Sequence, residues 1–239
     1  MRTPSKGFSL IELIIVMAIL LVVSSAVFKL VAVATERSST EQTKLDMFQE
    51  AREFMDQMSR DLRGAGYPNP RNVVSTVLTQ VPERNDHHAA VGLVKVEAGD
   101  LWFEGDVDGT GVSSIKYHLD TSTANHCPCL KRSQLPKVDG DPLIEGTGGQ
   151  TPASYEIEVQ GVTNTAIFSA YNNGAAVLLP VTMSAGATLA GVDTIQAVLS
   201  LEASTADPQT HQKPTTTILT TLKLNNCSQA ASGQQTSCQ

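Results

Sequence analysis

The sequence lacks a cluster of basic residues, and this limits the classes of ligand that the protein can bind. Its 239 residues include 17 Lys and Arg against 24 Asp and Glu, a formal net charge of −7. Nucleic-acid binding depends on clustered cations that neutralise phosphates and release counterions. A dedicated nucleic-acid site is therefore not expected. With 41% hydrophobic and 17% charged residues, the chain is also neither disordered nor fibrous.

Motifs that carry familiar chemistries are lacking too. The sequence contains no nucleophile elbow, no phosphate-cradling glycine loop and no His-Glu-x-x-His helix. Its five His residues are scattered over segments that read as loops or strands. We therefore expect a protein that is not an enzyme and carries no cofactor.

Apolar residues are concentrated near the N-terminus. From Phe8 to Val33 the polar side chains are those of Ser9, Glu12, Ser24, Ser25 and Lys29. As a helix this stretch is about 39 Å long, and the hydrocarbon core of a bilayer is about 30 Å thick. Arg2 and Lys6 precede it without any acidic residue, so the positive-inside rule places this end in the cytoplasm and the rest beyond the membrane.

Glu12 distinguishes this segment from a plain membrane anchor. A carboxylate inside an apolar span costs about 2.5–3.5 kcal/mol on insertion scales and marks a functional site. A cleaved secretory signal is the weaker interpretation, because apolar sequence resumes at Val27 and Phe28 after the small residues that precede them. We expect a partner that compensates the charge of Glu12.

The run from Lys6 to Leu20 resembles the N-terminus of type IV prepilins and type II secretion pseudopilins. It has a short basic leader that ends in Gly7, then Phe8, then Glu12 at the fifth position from Phe8. The resemblance implies that a prepilin peptidase removes leader residues 1–7 by cutting between Gly7 and Phe8, and methylates the amine of Phe8. It also implies that Glu12 faces the N-terminal ammonium of a neighbouring subunit, where opposite charge stabilises the carboxylate.

The helix is predicted to continue beyond the apolar segment. No Pro or Gly occurs between Lys29 and Gly64, and apolar residues recur at spacings of three or four: Leu45, Phe48, Ala51, Met55, Met58 and Leu62. We divide it into an apolar part, residues 8–34, and an amphipathic part, residues 35–66. Gly64 to Pro68 should end it. The run from Met55 to Tyr67 is similar to PilW-type minor pilins, which are related to J-type pseudopilins.

Residues 67–224 are predicted to form a β-rich head. Strand-like runs occupy residues 91–97, 101–103, 114–119, 155–159, 195–201 and 217–224. Turn residues between them favour an antiparallel sheet. The expected fold is α+β and type IV pilin-like, with the apolar half of one long helix protruding and its amphipathic half packed on the sheet. Residues 136–152 and 203–216 read as loops, and 225–239 as a polar tail.

The segment from Asp106 to Gly111 has two interpretations. Asp106 and Asp108 could begin a calcium loop, since Ca²⁺ prefers several hard oxygen ligands on a tightly turning backbone. Counting from Asp106, however, the twelfth position is Tyr117 and not the Glu that an EF-hand requires. A β-hairpin turn is the favoured interpretation, and calcium remains a weak candidate.

Four cysteines lie in the exported part, where an oxidising compartment favours disulfides. The pairing is open. Cys227 with Cys238 would resemble the C-terminal disulfide loop of many pilins and would leave Cys127 and Cys129 for each other. A long-range bond such as Cys127 to Cys227 is the alternative.

A zinc site is not expected from the sequence. His126, Cys127 and Cys129 lie close together, and His87 and His88 are adjacent. Neither spacing matches the usual zinc-ligand patterns.

The resemblance implies a structural role. We expect a minor pilin in an initiating or tip complex of a type IV pilus, with prepilin peptidase, other major and minor pilins or pseudopilins, and inner-membrane lipid as partners. It would lie in the bacterial inner membrane as a single-pass protein with a periplasmic head, and later in a pilus or pseudopilus. A J-type minor pseudopilin is one alternative. An adhesive or ligand-binding tip module is another, although one Trp and four Tyr offer few contact residues.

Overall fold

The computed structural model describes residues 9–122, 127–142, 149–183, 186–208, 210–226, 228–229 and 235–237. One helix, α1 (Leu10–Gly64), runs unbroken for 55 residues, about 82 Å at 1.5 Å per residue. Its continuity follows from the lack of Pro and internal Gly. Ala65 caps its end, and Gly66 follows in the left-handed region at φ 79°. The long N-terminal helix and its predicted end are confirmed.

The head consists of antiparallel strands in three sheets among the described residues. The six-stranded sheet contains β1 (Leu93–Val96), β2 (Asp100–Gly105), β3 (Ser113–Asp120), β4 (Cys129–Pro136), β5 (Glu156–Gln160) and β8 (Val181–Thr182), in the order β5-β4-β3-β2-β1-β8. The four-stranded sheet contains β6 (Phe168–Asn172), β7 (Ala175–Val177), β9 (Thr194–Glu202) and β10 (Thr215–Lys223), in the order β10-β9-β6-β7. The α+β architecture expected from the sequence is confirmed.

Short elements complete the chain. Among the described residues, 3-10 turns at Pro70–Asn72 and Glu83–Asn85 lie between α1 and β1, and one at Pro152–Ser154 lies between β4 and β5. A five-residue helix, α2 (Gly186–Ala190), lies between β8 and β9. Two short strands, β11 (Ser228–Gln229) and β12 (Gln235–Ser237), pair with each other in the segment that the sequence analysis treats as a polar tail. Ser228 and Gln229 are buried, and the Gln229 N–H donates to the Val91 carbonyl at 3.1 Å. The tail therefore docks on the head.

The six strands predicted from the sequence all coincide with observed ones, but six more strands among the described residues were missed. These are β4, β6, β7, β8, β11 and β12. The three from β6 to β8 have five residues or fewer, too short for a clear alternation. The head is consequently built from two main sheets, where the prediction had one.

A shared apolar core joins α1 to both main sheets. The ring of Phe54 on α1 lies edge-on to Tyr117 on β3, with centroids 5.6 Å apart. On its other sides Tyr117 approaches Phe103 on β2 at 6.3 Å and Phe168 on β6 at 6.5 Å. All four aromatic side chains are buried. Tyr117 thus lies where the helix and the two sheets meet.

Candidate functional site

The apolar half of α1 is not covered by any other part of the chain that the structure describes. No residue from 10 to 39 is buried. Its large apolar side chains from Leu10 to Val31 are all more than half exposed: Leu10, Ile11, Leu13, Ile14, Ile15, Val16, Met17, Ile19, Leu20, Leu21, Val22, Val23, Val27, Phe28, Leu30 and Val31. Val33 is partly buried. Within the described residues, α1 is the helix long and apolar enough to cross a membrane. An apolar surface of this extent needs lipid or other protein around it.

Glu12 lies in the first turn of α1, with its side chain exposed among these apolar residues. Its backbone N–H donates to the Ser9 carbonyl at 3.0 Å, so Ser9 is the N-cap residue. The N-terminal end of a helix dipole favours an anion at this position. Gly7 and Phe8, the predicted cleavage and methylation residues, lie outside the described residues.

The head covers the amphipathic half of α1 only in part. Ala51, Met55, Met58 and Leu62 are buried as predicted, together with Phe54. Leu45 and Phe48 belong to the same predicted apolar stripe, yet they are 54% and 44% exposed. Their inclusion in the packed face was wrong, although Thr40, nearer the N-terminus, is buried beside residues 205–208.

A buried carboxylate connects α1 to the six-stranded sheet. Asp61 is 1% exposed, and its Oδ2 accepts hydrogen bonds from the Tyr117 hydroxyl at 2.6 Å and from Arg132 Nε at 2.7 Å. Its Oδ1 accepts a third, from Gln57 Nε2 at 2.8 Å. Arg132 also donates to Gln134 Oε1 at 2.6 Å. Charge-assisted bonds of this length fix both partners in direction as well as distance.

Burial and the charge of Asp61 shift the pKa values of its partners Tyr117 and Arg132. Burial raises the pKa of Tyr117 well above its ordinary value, and the neighbouring carboxylate of Asp61 raises it further. Tyr117 is therefore a neutral donor at any physiological pH. Burial has the largest single effect on Arg132 and would lower its pKa, but the charges and hydrogen bonds of Asp61 and Tyr117 together outweigh it and raise that pKa. The helix and the sheet are thus joined by a charged pair and a neutral hydroxyl.

Sequence reasoning missed this contact. Asp61 lies 56 residues before Tyr117 and 71 before Arg132, so no local spacing relates them. One signal was present, since Asp61 directly precedes Leu62 and follows Met58 by three positions on the apolar stripe. A carboxylate on a buried face needs a partner, and this need could have been inferred.

The turn from Asp106 to Gly111 joins β2 and β3 as a hairpin. Asp106 Oδ1 accepts a hydrogen bond from the Gly109 N–H at 2.7 Å. Asp108 Oδ1 accepts from the Thr110 N–H at 2.9 Å and from its hydroxyl at 2.6 Å, which lowers the pKa of Asp108. Both carboxylates therefore stabilise the turn, as the hairpin interpretation predicts. The calcium site remains a prediction.

Cys127 and Cys129 form a disulfide, with Cα atoms 4.4 Å apart. This is the pairing that remains if Cys227 bonds to Cys238. It excludes the alternative bond between Cys127 and Cys227, because Cys127 has no free thiol. Cys227, Cys238 and His126 lie outside the described residues. Asp120 lies beside the disulfide, and its carboxylate accepts a hydrogen bond from Lys131 Nζ at 2.6 Å.

Comparison with known proteins finds a match for one part of the chain. Residues 2–28 match the family model of the prokaryotic N-terminal methylation motif. No curated protein and no solved structure matches the chain. The matched range contains the basic flank, Gly7, Phe8, Glu12 and most of the exposed apolar segment. By this motif, and by the long apolar helix that leads into an antiparallel β head, the chain is similar to type IV prepilins.

Proposed function

We propose that the protein is a minor pilin of the PilW type, a non-catalytic subunit that helps to assemble a type IV pilus from an initiating or tip complex. Prepilin peptidase cuts between Gly7 and Phe8 and methylates the new amine of Phe8. The observation that carries the proposal is the uncovered apolar half of α1, which bears the methylation motif and Glu12 and continues without a break into the head.

The uncovered segment suits two successive environments. Before assembly it spans the inner membrane, with the basic flank on the cytoplasmic side and the head in the periplasm. In a filament, neighbouring α1 helices replace the lipid around it. The charge of Glu12 supplies a driving force for this transfer, because an ammonium at the N-terminus of a neighbouring subunit compensates a carboxylate that lipid cannot.

The head contributes partner choice. Because Asp61, Arg132 and Tyr117 hold it against the last turns of α1, its orientation relative to the filament core is fixed. Leu45 and Phe48 add an exposed apolar face on the amphipathic half of α1. Exposed apolar side chains at this level provide contacts for adjacent pilin subunits.

The leader assignment is tested by replacing Gly7. In the Gly7→Val variant we expect the unprocessed chain to accumulate in the membrane, because the peptidase no longer recognises the cleavage site. Ser5→Ala in the same leader is the matched control and should be processed normally. Intact-mass spectrometry distinguishes the two forms, and a Gly7→Val protein that still begins at methylated Phe8 would contradict the proposal.

The pilus assignment is tested in a strain that lacks this protein. Fewer surface pili, counted by electron microscopy and restored by the wild-type gene, are the expected result. Normal pili with impaired secretion of exported proteins would show a J-type pseudopilin instead. Normal pilus number with lost adhesion would show an adhesive tip module.

A further inference from the structure

We propose that Asp86, His87, His88 and Asp139 form a binding site for a divalent transition-metal ion, with Zn²⁺ as the ion that fits best. Two loops bring these side chains together, residues 79–91 before β1 and residues 137–142 after β4. Two imidazoles and two carboxylates form a donor set that suits Zn²⁺ and excludes Mg²⁺ and Ca²⁺ as preferred ions. The proposal goes beyond the pilin function and does not depend on it.

The donor atoms already converge. His88 Nδ1 lies 2.7 Å from Asp86 Oδ1, and His87 Nδ1 lies 3.8 Å from the same oxygen. One ligand atom from each of these three residues lies within 4.8 Å of the others. Asp139 is not one of these three, but its Oδ1 is 2.7 Å from His87 Nδ1, so it reaches the group through His87. The two imidazole rings lie side by side, with centroids 3.7 Å apart.

These distances suit a tetrahedral ion. Zinc bonds to nitrogen and oxygen of about 2.0–2.1 Å place two ligand atoms of a tetrahedron about 3.3 Å apart. The separations of 2.7 and 3.8 Å around Asp86 Oδ1 lie on either side of that value. Shifts of about half an ångström in exposed imidazoles are rotamer adjustments. Without an ion, the same Nδ1 atoms donate to the carboxylates.

Asp86 is held as a fixed ligand. Its side chain is fully buried, and its Oδ2 accepts from the Thr79 N–H at 2.7 Å and the Gln80 N–H at 3.3 Å. Its Oδ1 accepts from the His88 N–H at 3.0 Å. Hydrogen bonds from the surrounding protein orient ligating carboxylates in this way, and they strengthen metal binding.

A buried lysine ties the two ligand-bearing loops together. Lys137 Nζ donates to the carbonyls of Arg84 at 2.6 Å and Ala89 at 2.8 Å, on either side of the His pair. Its charge is paired with Glu104 Oε2 at 2.7 Å, and both side chains are completely buried. The His87 N–H also donates to Asp139 Oδ1 at 3.0 Å. The loops are therefore set in relation to each other before any ion arrives.

The site is open to solvent on one side. The side chains of His87, His88 and Asp139 are 47%, 42% and 43% exposed. An ion can therefore enter, and a coordination position can face outward. The Ala90 N–H donates to the Pro68 carbonyl at 2.8 Å, just past the C-terminal end of α1, so the site lies at the end of the head remote from the membrane segment.

No metal site was predicted here from the sequence, and the reason is geometric. Adjacent His residues match no usual ligand spacing, and Asp139 follows His87 by 52 residues. The four side chains come together only in the folded head, where Lys137 and the strands before it hold residues 137–142 next to residues 79–91.

The test is zinc binding by the full chain in detergent micelles, with ZnCl₂ alone as the probe. We expect a single Zn²⁺ per chain by equilibrium dialysis and atomic absorption. The double variant His87→Gln/His88→Gln should bind about tenfold more weakly or worse, and so should Asp139→Asn. His118→Gln is the matched control, because His118 forms a comparable pair with Asp100 at 2.6 Å, and it should bind like the wild type.

Cobalt substitution provides a second readout. Co²⁺ in the wild-type chain should show the intense visible absorption of a tetrahedral site, and the double variant should not. Circular dichroism of the metal-free variants checks that they are folded. Failure of the folded wild type to bind Zn²⁺, or unchanged binding in the folded double variant, would overturn the proposal.

Discussion

Asp61 illustrates at the residue scale why a single side chain can decide how a helix docks. It occupies the buried stripe of α1 and is stable there only because Arg132 and Tyr117 reach it from β4 and β3. The head therefore has a directional contact with the helix in addition to the apolar core. Apolar packing alone would tolerate small rotations of the helix that these hydrogen bonds do not.

Asp61→Asn should destabilise the folded head by about 3 kcal/mol, since removing one member of a buried pair leaves the other charge uncompensated. Chemical unfolding followed by circular dichroism measures the loss. Asp56→Asn, the same change at an exposed site on α1, should cost under about 0.5 kcal/mol. Equal losses in the two variants would show that the Asp61 contact has no special role.

Replacing both members of the pair provides a sharper check. Asp61→Asn combined with Arg132→Met leaves no unpaired charge, so the double variant should be more stable than Asp61→Asn alone. A double loss equal to the sum of the single losses would contradict direct coupling between the two side chains.

His118 makes head stability depend on pH. Its hydrogen bond to Asp100, at 2.6 Å, raises the pKa of the imidazole against the opposing effect of burial. A raised folded-state pKa adds stability that is complete below the unfolded value of about 6.5 and is lost as pH rises through the folded value. His118→Gln should therefore destabilise the head more at about pH 5.5 than at about pH 9.

An NMR titration of the His118 ring checks the cause directly. Its midpoint should lie above about 6.5 in the wild type and fall in Asp100→Asn. A midpoint at or below 6.5 in the wild type would contradict the assignment.

At the scale of elements, β4 shows where local patterns fail. Its sequence, Cys129 to Pro136, contains Lys131 and Arg132 side by side and has no apolar alternation. It is nevertheless a central strand, because Asp120 and Asp61 from other elements accept hydrogen bonds from these two cations. The helix α1, by contrast, was predictable because its apolar run and lack of Pro are local properties.

The junction between α1 and β2 is equally specific. A Cβ added to Gly105 would overlap the Gly64 carbonyl oxygen and approach its carbonyl carbon to 2.7 Å, both backbone atoms. The helix end therefore packs on the strand with backbone against backbone, and an isolated bridge between Ala65 and Gly105 forms there.

Gly105→Ala should lower the stability of the head by about 1–3 kcal/mol, because the helix end must move away from β2. Thermal unfolding measures the change. In Gly99→Ala, the matched control, the new methyl would lie 3.3 Å from Leu119 Cβ, a contact that a local shift of a few tenths of an ångström relieves. Comparable melting temperatures for the two variants would be evidence against the tight junction.

At the scale of the whole molecule, the protein divides into a segment that needs other molecules and a head that folds on its own core. Residues 10–39 contain no buried position, while residues 51–62 of the same helix contain most of its buried ones. A continuous helix therefore transmits the position of the membrane segment to the head. This division is the physical basis of the proposed role in assembly.

Glu12→Ala should leave membrane insertion intact and reduce recovery of the protein in sheared pili, because the charge that draws the subunit toward a neighbour's N-terminus is lost. Immunoblots of membrane and pilus fractions measure both quantities. Glu36→Gln, at an exposed position further along α1, is the control and should leave both unchanged. Unaltered recovery of Glu12→Ala would contradict the charge-pair mechanism.

The sequence by itself determined the long helix, its end near Gly64, the exposed apolar segment with Glu12, the methylation motif and six strands of an α+β head. These are local properties, because periodicity, chain breakers and short motifs act over a few residues. Only the tertiary structure decided which part of α1 the head covers, how Asp61 is paired, how the charged strand β4 is accommodated and how His87, His88 and Asp139 meet. Each of these depends on contacts between residues far apart in the chain. Desolvation and hydrogen-bond geometry select these partners, and no local sequence pattern identifies them.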